Sequence, residues 1–133
     1  MADLTILSPI AGPSPTINGH LATKNYVDTG GVVASSTRTA SYALVVADVG
    51  VEQVYDSTSA GTFTLPTNAT QAIAVGKTIP LRQSNTGQLT VAPASGVTLQ
   101  ARGSAFKLAG QHAVAEVRKV ATDIWVVYGD TTA

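Results

Sequence analysis

Cysteine is missing from the chain, so no disulfide framework, thiolate metal site or cysteine nucleophile is available to it. That absence leaves the compartment open, because cytosolic and viral proteins alike do without cysteine. Charge is scarce: 12% of the 133 residues are Asp, Glu, Lys or Arg, and eight acids cancel eight bases. Such a balance argues against nucleic acid as a partner, since displacing counterions from phosphates takes a basic stripe. Nor is there a polybasic segment for an anionic membrane surface. No apolar run is long enough to span a bilayer, so no membrane insertion is expected. The start "MADLTILSPIAGPSP", with Asp3 and no basic region, does not read as a secretory signal. Glutamate is confined to Glu52 and Glu116, whereas helix-rich soluble proteins carry many Glu, Lys and Leu.

Threonine, valine, alanine and serine dominate instead, and they suit a pleated sheet. With 44% apolar residues and no net charge, little repulsion opposes association, which favours an oligomer or a particle component. The expected fold is all-β: an antiparallel β-sandwich or barrel, preceded by an extended N-terminal arm and one short helix. The expected organisation is an arm over 1–20, a helical node and linker over 21–40, and a β-domain over 41–133.

In the arm, "SPIAGPSPTING" packs three prolines and two glycines into twelve residues, which excludes helix and central strand. A solvated leader and an arm docked on another surface both fit. The apolar Leu4, Ile6, Leu7, Ile10 and Ile17 favour docking and are the candidate anchoring residues. Next, "HLATKNYVDTGG" reads as about two helical turns, with Thr23 as N-cap and Gly30 and Gly31 as terminators. Its apolar patch, Tyr26 and Val27, is too small to hold an isolated helix, so it must pack on something else.

From Tyr42 onward short apolar runs alternate with Gly-, Asn- and Ser-rich punctuation at a spacing of about ten residues. "RQSNTGQLTVA" predicts a hairpin turning at Asn85–Gly87, and "VRKVATDIWVV" another bending at Thr122 and Asp123. Between them, Val114, Glu116 and Arg118 alternate with Ala115, Val117 and Lys119. The continuous run Ile124–Tyr128 predicts a strand covered on both faces, by the body or by a neighbouring subunit, with Trp125 in the core or at a subunit interface.

Catalytic and metal chemistry find little footing, and no enzyme activity and no cofactor are expected. Gly76-Lys77-Thr78 resembles the end of a phosphate-binding loop, but Gln71 stands where its first glycine belongs and Pro80 precludes the following helix. His20 and His112 lie far apart, Ser95 sits in "PASGV", a turn, and Asp48, Asp56, Asp123 and Asp130 occupy turn positions. Two carboxylates could meet by chance for glycoside cleavage, yet nothing singles out a pair. Asn68-Ala69-Thr70 matches a glycosylation acceptor without a secretory signal to go with it. A host surface glycan is the candidate ligand of a second, host-attachment reading, through loops such as 66–72 or 101–111.

Ala22, Thr23, Lys24, Tyr26, Val27 and Asp28 reproduce Ala-Thr-Lys-x-Tyr-Val-Asp, and "PTINGHLATKNYVD" thereby resembles an element that recurs in tailed-bacteriophage fibre proteins. The resemblance implies a helical node where three chains meet, so that Tyr26 and Val27 are buried between copies of a homotrimer. "SYALVVADVGVEQVYDS", "TFTLP", "AVGKTIPLRQSNTGQLTVAPASGVTL" and "KLAGQHAVAEVRKVATDIWVVYGD" are similar to a β-domain common in phage structural proteins. Together the likenesses cover most of residues 13–130. They imply a virion surface component made in the host cytoplasm, with the major capsid protein or a tail or adaptor protein as partner. One node and one domain suit a capsid-decorating head fibre or cement protein; a short tail fibre or adaptor subunit in host attachment is the alternative.

Overall fold

The computed structural model describes residues 33–133; the arm and the helical node lie outside the described residues. Eleven strands follow one another: β1 (Ser35–Arg38), β2 (Tyr42–Ala43), β3 (Glu52–Tyr55), β4 (Gly61–Leu65), β5 (Thr78–Gln83), β6 (Leu89–Pro93), β7 (Thr98–Gln100), β8 (Lys107–Leu108), β9 (Val114–Ala121), β10 (Ile124–Gly129) and β11 (Thr131–Thr132). Two 3-10 turns, Val46–Asp48 and Arg102–Ser104, are the helical pieces among the described residues. The first strand lies in the segment that the sequence reads as linker.

The all-β expectation holds, but the pairing is mixed rather than antiparallel. One sheet has the order β1-β3-β5-β9-β10-β7, the other β11-β8-β6-β4-β2. From β1 to β6 the chain alternates between the sheets, so that β1, β3 and β5 pair in parallel in one, and β2, β4 and β6 in the other. Parallel neighbours need a long crossover. Here each crossover is itself a strand of the opposite sheet. Only toward the end does local antiparallel pairing take over, with β9 between β5 and β10.

Alternating burial along β4, β5 and β6 shows one face of each strand turned inward. Phe63, Leu65, Leu89 and Val91 from one sheet and Ile79, Leu81, Val117 and Trp125 from the other share a single apolar core. Tyr55 reaches across it to meet Phe63 edge-to-face, with ring centroids 5.8 Å apart. At the edge formed by β1 and β2, the Arg38 guanidinium lies 3.7 Å from the Tyr42 ring centroid and 3.4 Å from Asp48.

A chain that leaves one ladder for another strands backbone groups at each corner, and buried polar groups without partners are costly. The four buried polar side chains among the described residues all bond such corners: Asp48, Gln53, Gln83 and Lys119. Asp48 Oδ2 accepts the Val45 N–H at 2.9 Å, and Gln53 Nε2 donates to the Val51 carbonyl at 3.1 Å. Lys119 Nζ donates to Asn68 Oδ1 at 2.6 Å and to the Ile73 carbonyl at 2.7 Å, fixing the passage from β4 to β5. Gln83 Oε1 accepts the Leu89 N–H at 3.0 Å while its Nε2 donates to the Asn85 carbonyl at 3.0 Å.

This last pair of bonds explains why residues 84–88 are not the expected hairpin. Gln83 satisfies the bend with its side chain and sends the chain into the other sheet. Gly87 completes the corner: its N–H donates to Ser57 O at 2.9 Å, and a Cβ there would collide with the Ser57 and Ser59 carbonyls. The second expected hairpin does form. Ala121 pairs with Ile124 across Thr122 and Asp123, Asp123 takes a left-handed φ of 56°, and a bulge between Lys119 and Ala121 absorbs the change of twist.

Gln83→Leu keeps the volume but orphans Leu89 N–H and Asn85 C=O, at about 1–3 kcal/mol for each buried group left unpaired. Thermal melts followed by circular dichroism should show a drop of several degrees in Tm. Gln53→Leu, which removes an equivalent amide, should behave alike. An unchanged Tm for Gln83→Leu would show that the corner is held by packing alone.

Candidate functional site

After Trp125 and Val127 face the core, β10 reaches Gly129, whose φ of 128° is closed to ordinary side chains. A Cβ on Gly129 would meet Ala115 Cα and the Val114 carbonyl oxygen at 2.7 Å, so the chain here presses directly on β9. Asp130 N–H then bonds Val114 O at 2.9 Å, and β11 departs for the second sheet, where it pairs with β8. The departure opens a recess of about 380 Å3 between the end of β10 and the turn Arg102–Ser104. Arg102, Ala105, Val126, Tyr128 and Thr131 are among its lining residues. Gly103 and Ser104 are both left-handed, at φ 63° and 56°, and this sharp turn places exposed Arg102 at the rim.

Tyr128 stands on the outer face of β10 and is 43% exposed. Its hydroxyl donates to Glu116 Oε1, its register partner on β9, at 2.5 Å. That charge-assisted bond fixes the ring and, by stabilising the neutral phenol, raises its pKa above the ordinary value. A neighbouring outer-face pair is Glu52 with Arg82, 3.1 Å apart; the guanidinium holds the Glu52 carboxyl below its usual range.

A second cavity, of about 330 Å3, lies where the two sheets part between β6, β7 and β8. Val91, Pro93, Leu99 and Phe106 make its lining largely apolar, with Thr90, Ser104 and Lys107 as polar members. The two cavities flank the 101–111 segment, one of the two loops singled out for a glycan. The other, 66–72, is instead tied down: Asn68 bonds Lys119 and Asp123, and the Thr67 and Thr70 hydroxyls bond each other at 3.0 Å.

The anchoring candidates Leu4, Ile6, Leu7, Ile10 and Ile17 and the node residues Ala22, Thr23, Lys24, Tyr26, Val27 and Asp28 lie outside the described residues, as does His20. His112 is exposed with a φ of 73°, and its N–H donates to Gln83 O at 2.6 Å. Gly76, at φ 93°, enters β5 rather than a helix, so Lys77 and Thr78 form no phosphate cradle. Asp48 and Asp123 spend carboxylate oxygens on backbone N–H groups. Among the described residues no three His, Asp or Glu side chains converge as a metal would require. Trp125 is 1% exposed, a core residue as one of its two sequence readings held, and its Nε1 has no hydrogen-bond partner.

The strand around it meets only half of the expectation from the body itself. Within the single chain the body covers one face of β10: burial alternates, and Tyr128 emerges on the other face, the one left for a neighbouring subunit in the second form of that expectation. Tyr128 was hidden by the run of apolar neighbours before it. Glu116, at the facing register position, was the only signal that could have marked it. Comparison with protein-family models, curated proteins and solved structures finds no match to this chain.

Glu116→Gln removes the charge that holds the Tyr128 proton. Alkaline spectrophotometric titration, with Tyr128→Phe to assign the transition, should show this phenol ionising at lower pH in the variant. Because the folded value is the raised one, the bond contributes fully below the unfolded pKa of about 10 and is lost as pH rises through the folded value. Identical titration curves for wild type and variant would show that Glu116 does not govern Tyr128.

Proposed function

We propose that the chain is a structural component of a tailed-phage virion, a homotrimeric capsid decoration or head-fibre protein anchored by its N-terminal arm. The observation that carries this reading is the order of motifs: a Pro- and Gly-rich arm, then "LATKNYVD", then the β-domain signature ending in "WVVYGD". An all-β body joined to that element fits the resemblance. Zero net charge and the exposed Val114, Val120 and Tyr128 on the outer face of β9 and β10 also favour assembly over life as a free monomer. Function here is binding energy rather than turnover. An arm that buries Leu4, Ile6, Leu7, Ile10 and Ile17 gains about 1.5–3 kcal/mol per side chain at the upper limit, and three arms add avidity.

The second reading is a short tail-fibre or adaptor subunit that attaches to host glycan. The recess lined by Tyr128 and Arg102 favours it, because an exposed, fixed aromatic ring sharing a cavity with a guanidinium is what sugar recognition uses.

Two experiments separate these readings from a monomeric domain of another kind. Mass photometry should show one species at three times 13.5 kDa; a monodisperse monomer at micromolar concentration overturns the trimer. Deleting residues 2–17 should leave the circular dichroism of the β-domain unchanged while abolishing particle binding. If the truncated protein occupies virions at normal density, the anchor lies elsewhere. Capsid or tail location in a particle reconstruction decides between decoration and attachment.

A further inference from the structure

We propose that the recess between β10 and the Arg102–Ser104 turn binds a saccharide bearing a carboxylate, with Tyr128 as stacking platform and Arg102 as ionic partner. This rests on the second reading above and specifies its ligand.

Two separate elements deliver complementary chemistry to one cavity of about 380 Å3. Sugar rings present a face of C–H groups that packs on an aromatic ring, and Tyr128 is 43% exposed on the outer face of its strand. A free tyrosine would lose rotamer entropy on binding. Here that cost is already met in the unbound protein, because the hydroxyl is committed to Glu116 Oε1 at 2.5 Å. The bond occupies the polar tip and leaves the ring for contact. Val126 and Ala105 extend the apolar wall, and the Thr131 hydroxyl offers a hydrogen bond to a sugar hydroxyl.

Charge narrows the ligand class. Arg102 is the one ionisable side chain in the lining apart from the Tyr128 phenol, and no described carboxylate forms an ion pair with it. Its planar fork matches a carboxylate through two parallel N–H···O bonds, a geometry a neutral sugar cannot return. The left-handed pair Gly103 and Ser104 turns the chain sharply just after Arg102. Two acids adjoin the recess without being among its lining residues: Glu116, to which the Tyr128 hydroxyl donates, and exposed Asp130, between the lining residues Gly129 and Thr131. A nucleic acid fits poorly, since one cation cannot replace the counterions of successive phosphates.

The test is an NMR titration of the full-length 15N-labelled protein with 3′-sialyllactose and tri-galacturonate, using lactose and maltotriose as neutral controls. At least one carboxylated probe should shift the Arg102, Tyr128 and Thr131 amides, with a Kd in the millimolar range or tighter. Neutral probes should bind about tenfold more weakly, equivalent to about 1.4 kcal/mol. Arg102→Gln, confirmed folded by its own spectrum, should bring the carboxylated probe down to the neutral level. Lys107→Gln, in the neighbouring apolar cavity, should leave binding unchanged. The proposal is overturned if no carboxylated probe shifts those amides, if neutral probes bind equally, if Arg102→Gln binds as wild type, or if Lys107→Gln abolishes binding. The titration is read on the free chain. Its failure therefore leaves virion attachment standing, and a failure to occupy virions leaves the titration standing.

Discussion

Each time this chain passes from one sheet to the other it must leave a hydrogen-bonded ladder and enter a second one, with the core between them closed to water. The architecture depends on how those corners are satisfied. In an antiparallel meander a tight turn does this locally. Here Asp48, Gln53, Gln83 and Lys119 do it from inside, each bonding a corner's backbone or a corner side chain. Every one of these groups is worth little as a net hydrogen bond and much as a missing one. The apolar core can therefore be ordinary, a layer of Leu, Ile, Val, Phe and Trp, while the specificity of the path lies in polar atoms within it.

That division of labour decides what was legible. Thr- and Val-rich runs at regular spacing announced strands, because alternation with the sheet period is a local property. The bend at Thr122 and Asp123 was legible for the same reason: its two strands are adjacent in sequence and pair across it. The alternation along β9 set Lys119 on the face of Ala115 and Val117, and the structure buries all three. Sheet membership was not legible. Asn85–Gly87 has the composition of a hairpin turn, but its outcome is set by the Gln83 side chain beside it and by the Ser57 and Ser59 carbonyls, which are distant in sequence. Composition cannot report a partner that only the fold brings near.

The candidate site was half legible. Segment 101–111 stood out as a loop with polar potential, and Trp125 was rightly kept away from solvent as one of its readings. Tyr128 was not distinguished from the apolar residues preceding it. Its exposure follows from the end of β10, where Gly129 presses on Ala115 and the chain quits the sheet. An aromatic residue at the last outward position of a strand thus becomes the wall of a recess rather than part of a sheet face. Arg102 joins it because two consecutive left-handed residues turn the β7–β8 connection back on itself.

The position of β9 has a consequence for biosynthesis. This strand lies between β5 and β10, and β7 is joined to the sheet only through β10. While the ribosome is still making the first hundred residues, the parallel coils have no middle to their larger sheet, and Ile79, Leu81 and Trp125 have not yet met. The edge of β5 has no partner until the β9–β10 hairpin, the most local pairing in the fold, arrives near the end of synthesis. A protein built this way is vulnerable during that interval. Its low charge would make neighbouring copies on the same message the first partners that its open edges encounter.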